Sequence, residues 1–304
     1  MRIIFMGTPD FAAVSLNQLY QENIEIAAVF SQPDRPRGRG MKIIETAVKQ
    51  AAMLHNTPVF QPLSLKDSNL YSCINDFKCD LIITVAYGKL LPKEILELPA
   101  LGCINIHASL LPKYRGAAPI QWAVINGETE TGVTSIFLTE EMDAGDIILS
   151  KKTDIFENET GGQLFCRLAG LGAELLSDTV SAIAENRAGR IPQDHKNATY
   201  APPIDKKMCE IDWNTAALHI KNKVRGLNPN PGARAEINGH IYKIHSVEIS
   251  DNNPAKQPGE VICASNGRLE VACLGGSVII NEIQAPGAKK MSASDFLRGH
   301  TICL

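Results

Sequence analysis

Two hydrophobic rhythms alternate through the first part of the chain. Residues 2–6 form a short apolar run closed by Gly7, and from Asp10 to Tyr20 the side chains Phe11, Val14, Leu16 and Leu19 fall at helical spacing, so a strand leads into a helix. The pattern recurs. Strand-like runs at 24–30, 59–60, 81–86 and 103–107 are separated by helical patterns near 45–55 and 66–77. Runs at 132–138 and 147–155 then precede a long helical pattern at 160–187. Strands that alternate with helices need crossover connections, which place helices on both faces of a sheet; the pattern predicts an α/β fold with a mostly parallel sheet.

The texture changes after Gly189. Pro192, Pro202 and Pro203 punctuate a polar stretch at 190–207 that reads as a linker, because each proline fixes φ and removes a backbone donor. A helical patch at 214–226 follows, then five short strand-like runs at 234–237, 241–249, 259–264, 269–274 and 278–283, and a last short helix opened by Ser292. Short strands in such succession predict a small barrel. The expected organisation is an α/β domain at 1–189, a linker at 190–207 and a β domain at 208–304.

Composition narrows the class. The chain has 304 residues, 44% hydrophobic and 21% charged, which excludes disordered, collagen-like and coiled-coil architectures. Its apolar runs fall short of the roughly 18 residues of a membrane span, and the N-terminus carries no secretory pattern, so the expectation is a cytoplasmic protein with no membrane partner. The eight cysteines show no C-x-x-C and no metal-ligand spacing with histidine, and read as small buried hydrophobes. Charge is uneven. Residues 190–304 hold 14 Lys and Arg against 11 Asp and Glu, a net +3, whereas residues 1–189 hold 16 against 22, a net −6. The basic surplus of the second half suits a polyanionic partner.

Four segments are candidates for chemistry. Gly7-Thr8-Pro9-Asp10 occupies the first strand-to-helix turn but lacks the further glycines of a dinucleotide fingerprint, and Pro9 has no N–H for a pyrophosphate. Asn105 and His107 stand two apart at the end of a predicted parallel strand, so an amide and an imidazole share one face where open α/β sheets build their sites. The turn that follows, Ser109-Leu110-Leu111-Pro112 with basic Lys113 and Arg115, reads as an exposed apolar turn suited to a flat ligand. Four acids in seven residues, Glu140 to Asp146, fit a solvated loop, yet Gly145 lets the backbone turn and bring a carboxylate beside His107. Asp143 and Asp146 have no third hard ligand nearby for magnesium. Finally Arg35, Arg37, Arg39 and Lys42 against Asp34 give a net +3 in nine residues bounded by prolines and glycines, a basic loop suited to phosphates.

GTPDFA at 7–12, QPDRPRGRG at 32–40, VAYGKLLP at 85–92, NIHASLLPKYRGAAPIQ at 105–121, MDAGD at 142–146, IDW at 211–213 and RGLNPNPGA at 225–233 make the sequence resemble the methionyl-tRNA formyltransferases over nearly its whole length. The resemblance implies a Rossmann-like catalytic domain followed by an OB-like barrel that binds tRNA. It implies transfer of a formyl group from 10-formyltetrahydrofolate, as co-substrate and without a metal, to the α-amino group of methionyl initiator tRNA, for translation initiation, by a monomer. Carried over by motif, Asn105, His107 and Asp143 are the catalytic trio. Leu90, Leu91, Ser109, Leu110, Leu111 and Pro112 border the folate, and Arg35, Arg37, Arg39 and Lys42 meet the tRNA acceptor end. Two positions depart from the family pattern, Asn230 where Trp is common and Pro203 where Lys is common. Amino-sugar-nucleotide formyltransferases share the trio but have no need of the arginine loop.

Overall fold

The computed structural model describes residues 1–37, 41–252 and 255–303. Seven strands form the central sheet in the order Ile147–Asp154, Glu130–Phe137, Cys103–His107, Leu81–Val85, Arg2–Gly7, Glu25–Phe30 and Val59–Phe60. The last five are parallel, and Glu130–Phe137 runs antiparallel to both of its neighbours. Strands covered on both faces read as continuous apolar runs, and Ile3, Ile4, Phe5, Ile82, Ile83 and Ile104 are accordingly inaccessible. The chain builds from Arg2–Gly7 first toward Val59–Phe60 and then back past Leu81–Val85 to Cys103–His107. That reversal opens a crevice at the carboxyl ends of the strands, the usual ligand position in such sheets.

Two compact units divide the chain. The first comprises Met1–Pro119, Glu130–Asp154 and Phe165–Ala201; the second comprises Ile120–Thr129, Ile155–Leu164 and the chain from Pro202 onward. The first therefore takes in residues up to Ala201, most of the stretch that composition marks as linker. In the second, strands Ala233–Ile237, His240–Ser250, Gly276–Gln284, Arg268–Cys273 and Val261–Ser265 form an antiparallel sheet in that order. Asn238-Gly239 and Asn266-Gly267 supply two of its two-residue hairpin turns, all four residues having the positive φ that type I′ turns need.

Of the expected small barrel, the structure gives the antiparallel sheet. Among the described residues no ladder joins the edge strands Ala233–Ile237 and Val261–Ser265, so the sheet is open. Its apolar face is covered instead by helices Ala217–Leu227 and Ala293–Gly299, through Ile220, Val224, Leu227 and Phe296. Helical cover removes the need for closure. The basic segment is also more ordered than a loop, since Arg35–Arg37 pairs antiparallel with Lys42–Ile44. Among the described residues no helix is long and apolar enough to cross a membrane.

Candidate active site

Strand Cys103–His107 carries the first two site residues. It lies between Leu81–Val85, where Thr84 is the register partner of Asn105, and Glu130–Phe137, where Thr134 is the partner of His107. The Thr84 hydroxyl sits 2.8 Å from Asn105 Oδ1, which fixes the carboxamide with its nitrogen turned toward Asp143 Oδ1 at 3.5 Å. His107 is buried, with Nε2 2.8 Å from the Tyr114 carbonyl and Nδ1 3.5 Å from Asp143 Oδ2. A carbonyl oxygen has no proton to give, so Nε2 carries one and Nδ1 is the nitrogen left for exchange.

Asp143 arrives from the acidic segment between Glu130–Phe137 and Ile147–Asp154. Its backbone is left-handed, with φ 52°, a conformation that Asp tolerates better than most residues. Gly145 is required by close approach, because a Cβ there would run into the Phe137 carbonyl. The Gly116 N–H donates to Asp143 Oδ2 at 2.9 Å, so the carboxylate faces Asn105, His107 and a backbone donor together. The three side chains named from sequence thus come together, with Asn105 and His107 both facing the Asp143 carboxylate.

The turn after His107 differs from its expected form. Ser109 and Leu111 are buried, while Leu110 and Pro112 are half-buried. Ser109 donates to the Lys113 carbonyl at 2.6 Å, and Thr134 binds both the Ser109 carbonyl, at 2.6 Å, and the Leu111 N–H, at 3.2 Å. The turn is pinned to the sheet, so its apolar side chains pack inward. Leu90 is exposed, and Leu91 packs in the cluster that contains Tyr87, Ile95 and Cys103.

Arg115, one of the two basic residues that follow the turn, is 1% accessible. Its guanidinium donates to Gln193 Oε1 at 3.1 and 2.7 Å and lies 3.6 Å from Glu141. Gln193 in turn donates from Nε2 to the carbonyls of Asp143 and Gly145, both at 2.8 Å. Sequence reasoning missed Gln193 because it lies far downstream in a polar, proline-bounded stretch without periodicity. Segment 199–201 likewise braces the turn: Thr199 accepts from the Tyr114 and Arg115 N–H groups, and Tyr200–Ala201 pairs with Arg115–Gly116.

In the basic segment Asp34 has partners elsewhere in the chain. It is held by Lys49 at 2.5 Å and Gln61 at 2.7 Å, and the Lys49 hydrogen bond lowers its carboxyl below the usual range. Arg35 is exposed. Arg39, and the side chains of Arg37 and Lys42, lie outside the described residues. Among the described residues no cluster of three His, Cys, Asp or Glu side chains could hold a metal ion.

Residues 1–180 match the formyl transferase family, and residues 203–301 match the formyl transferase C-terminal domain. Methionyl-tRNA formyltransferases of Alkaliphilus oremlandii and Clostridioides difficile are 46% and 43% identical over 302 residues, covering 99% of this chain and 97% and 98% of those proteins. A solved N-formyltransferase of Helicobacter canadensis, in complex with folinic acid and dTDP-3-aminofucose, has a TM-score of 0.70 at 18% identity over 95% of this chain and 99% of that one. HypX of Aquifex aeolicus in complex with tetrahydrofolic acid gives 0.66 at 18% identity over 98% of this chain, which spans about half of that one, 47%. At such identity these two structures speak for the fold, whereas the near-full-length relatives place the whole sequence: the chain belongs to the methionyl-tRNA formyltransferases, within the formyl transferase family.

Proposed function

We infer that the chain transfers the formyl group of 10-formyltetrahydrofolate to the α-amino group of methionyl initiator tRNA. The observation that carries the chemistry is the convergence of Asn105, His107 and Gly116 on the Asp143 carboxylate at the strand ends. Attack of an amine on a formyl carbon places negative charge on the formyl oxygen, and the Asn105 amide N–H is the donor that receives it. One such fixed donor contributes about 2.7–4 kcal/mol of transition-state stabilisation. The attacking amine must lose a proton and the folate nitrogen must gain one as the carbon–nitrogen bond to it breaks. His107 Nδ1 moves that proton, since Nε2 is anchored on Tyr114, and Asp143 balances the imidazolium charge as it forms.

Exposed Leu90, with half-buried Leu110 and Pro112, offers a flat pteridine an apolar edge, and Leu91, Ser109 and Leu111 stand behind it as support. Arg35, Arg37, Arg39 and Lys42 bind phosphates of the acceptor end; the net +3 of this segment in the sequence, with Asp34 counted, supports this. The chain from Arg190 onward, read as ending in an OB-like module, adds its own basic surplus. We read the working unit as a monomer that acts in the cytoplasm, alongside the aminoacylated RNA it takes as substrate.

The test is a competition between acceptors. The protein is incubated with 10-formyltetrahydrofolate and either methionyl initiator tRNA or an amino-sugar nucleotide, and the formylated product is identified. Formylation of the tRNA is expected. Formylation of the sugar nucleotide with the tRNA left unchanged overturns the reading.

A further inference from the structure

We propose that Gln193 is a positioning residue for formyl transfer, holding the Asp143 carboxylate against His107 and Asn105; the proposal rests on the roles given above to those three residues. Gln193 is buried, and each polar atom of its carboxamide is used. Two N–H bonds go to the carbonyls of Asp143 and Gly145, and the oxygen accepts twice from Arg115. This arrangement fixes the amide's orientation, because a flip would set an NH2 against a guanidinium and an oxygen against two carbonyls. The two carbonyls it binds flank the sharp turn in which Asp143 adopts its left-handed backbone, so the amide braces the very residue whose side chain must be aimed.

The neighbours of Gln193 grip the same loop. Ile191 exchanges both backbone hydrogen bonds with Ile147, at 2.8 and 3.0 Å, and the Arg190 guanidinium lies over the Phe137 ring at 3.7 Å. Arg115, on the other side of the amide, precedes Gly116, whose N–H binds the Asp143 carboxylate. The amide therefore ties the backbone of the acidic loop to the turn that supplies Asp143's own donor. The residue sits in the segment that leads into the second unit, far in sequence from the three side chains it serves.

A residue that acts only through Asp143 has nothing to do once Asp143 is gone, which separates positioning from general support of the fold. Single-turnover formylation of methionyl initiator tRNA is measured for Gln193→Ala and for Gln193→Met, which keeps the volume, each in the wild-type and in the Asp143→Ala background. In the wild type both substitutions are expected to lower the rate about tenfold or more, with the KM for each substrate unchanged within about twofold. In the Asp143→Ala background they are expected to alter the residual rate by less than about twofold. Equal losses in both backgrounds, or a wild-type rate for Gln193→Met, overturn the proposal. A near-wild-type rate for Asp143→Ala by itself removes Asp143 from the reaction, which is a failure of the site reading and not of the geometry of Gln193.

Discussion

Two carboxylates in this molecule are held in opposite ways. Glu270, on strand Arg268–Cys273 of the second unit, is 1% accessible and receives Ser277 at 2.7 Å, Arg268 at 2.9 Å and Asn252 at 3.0 Å. Burial alone would raise its carboxyl, but hydrogen bonds from Ser250, Ser277, Asn252 and Arg268 outweigh it and push the value down to about 2. Asp143 has one good donor, Gly116, and meets Asn105 and His107 only at 3.5 Å. A saturated acceptor contributes stability and has no capacity left for a substrate. Long contacts of the Asp143 kind are common before substrate arrives and tighten in the reacting complex. The difference separates a carboxylate that serves the fold from one poised to respond.

The widest gap between the two is expected in rate. Asp143→Ala, His107→Ala and Asn105→Ala should each lower single-turnover formylation by roughly 10² or more. Their melting temperatures should stay near the wild type. Normal turnover by any one of them removes it from the trio. If Asn105 and His107 act on the same transition state, as proposed, the double substitution should cost less than the product of the single losses, and strict additivity in the measured rates argues for independent roles.

Glu270→Gln should show the mirror image. It leaves formylation at 25 °C within about twofold, yet destabilises the protein by roughly 2 kcal/mol, because an amide NH2 is placed against the donors Arg268 and Asn252. Thermal melting alongside the activity assay separates the two effects, and a lost rate with unchanged melting would erase the contrast. The pH response sharpens it further. A carboxyl held below its unfolded value of 4.5 contributes fully above that pH and loses the contribution as pH falls toward about 2. Roughly 3 kcal/mol should disappear across that window. Glu270→Gln should flatten this part of the stability curve, as followed by acid titration of the far-ultraviolet circular dichroism.

The smallest effect is expected at the basic segment, whose proposed contact with tRNA is electrostatic and screened by salt. Arg39→Ala should weaken use of charged tRNA and reduce the salt slope by about one phosphate contact, with folate binding unchanged. Kinetics at two salt concentrations measure this. Protection of the segment from trypsin by tRNA is the companion observation, and normal kinetics with unchanged cleavage would reduce the arginines to a solvated surface.

Much of the site is legible because its signals are local. Asn105 and His107 share a face through the two-residue period of a strand, and Gly145 marks a turn sharp enough to deliver Asp143. The β-α alternation likewise yields the parallel sheet. What sequence does not reveal depends on partners distant in the chain. Lys113 and Arg115 look alike in sequence, but Arg115 is swallowed because Gln193 and Glu141 receive its guanidinium. Gln193 has neither periodicity nor motif chemistry of its own; its role exists only once strand Ile147–Asp154 has brought the acidic turn beside it. Five strands in succession suggest closure, whereas the helices that cover the open face are recognised only from packing. Pro119 at the first position of helix Pro119–Ile125 is a local start signal, its fixed φ suiting the first helical position.

The makeup of the second unit bears on how such proteins can be cut and recombined. Arg225, on helix Ala217–Leu227, donates to the carbonyls of Phe156 and Glu159, and the Gly162 N–H donates to the Asn228 carbonyl. These partners lie in Ile155–Leu164, a stretch that precedes most of helix Gly161–Ala184 in the chain. A fragment begun at Pro202 carries the complete antiparallel sheet but leaves a guanidinium and a helix end without the carbonyls and amide that meet them. Grafting this tail onto another catalytic half therefore calls for a recipient that already presents matching backbone at the positions of Ile155–Leu164, so inheritance of the tail is tied to residues the tail does not contain.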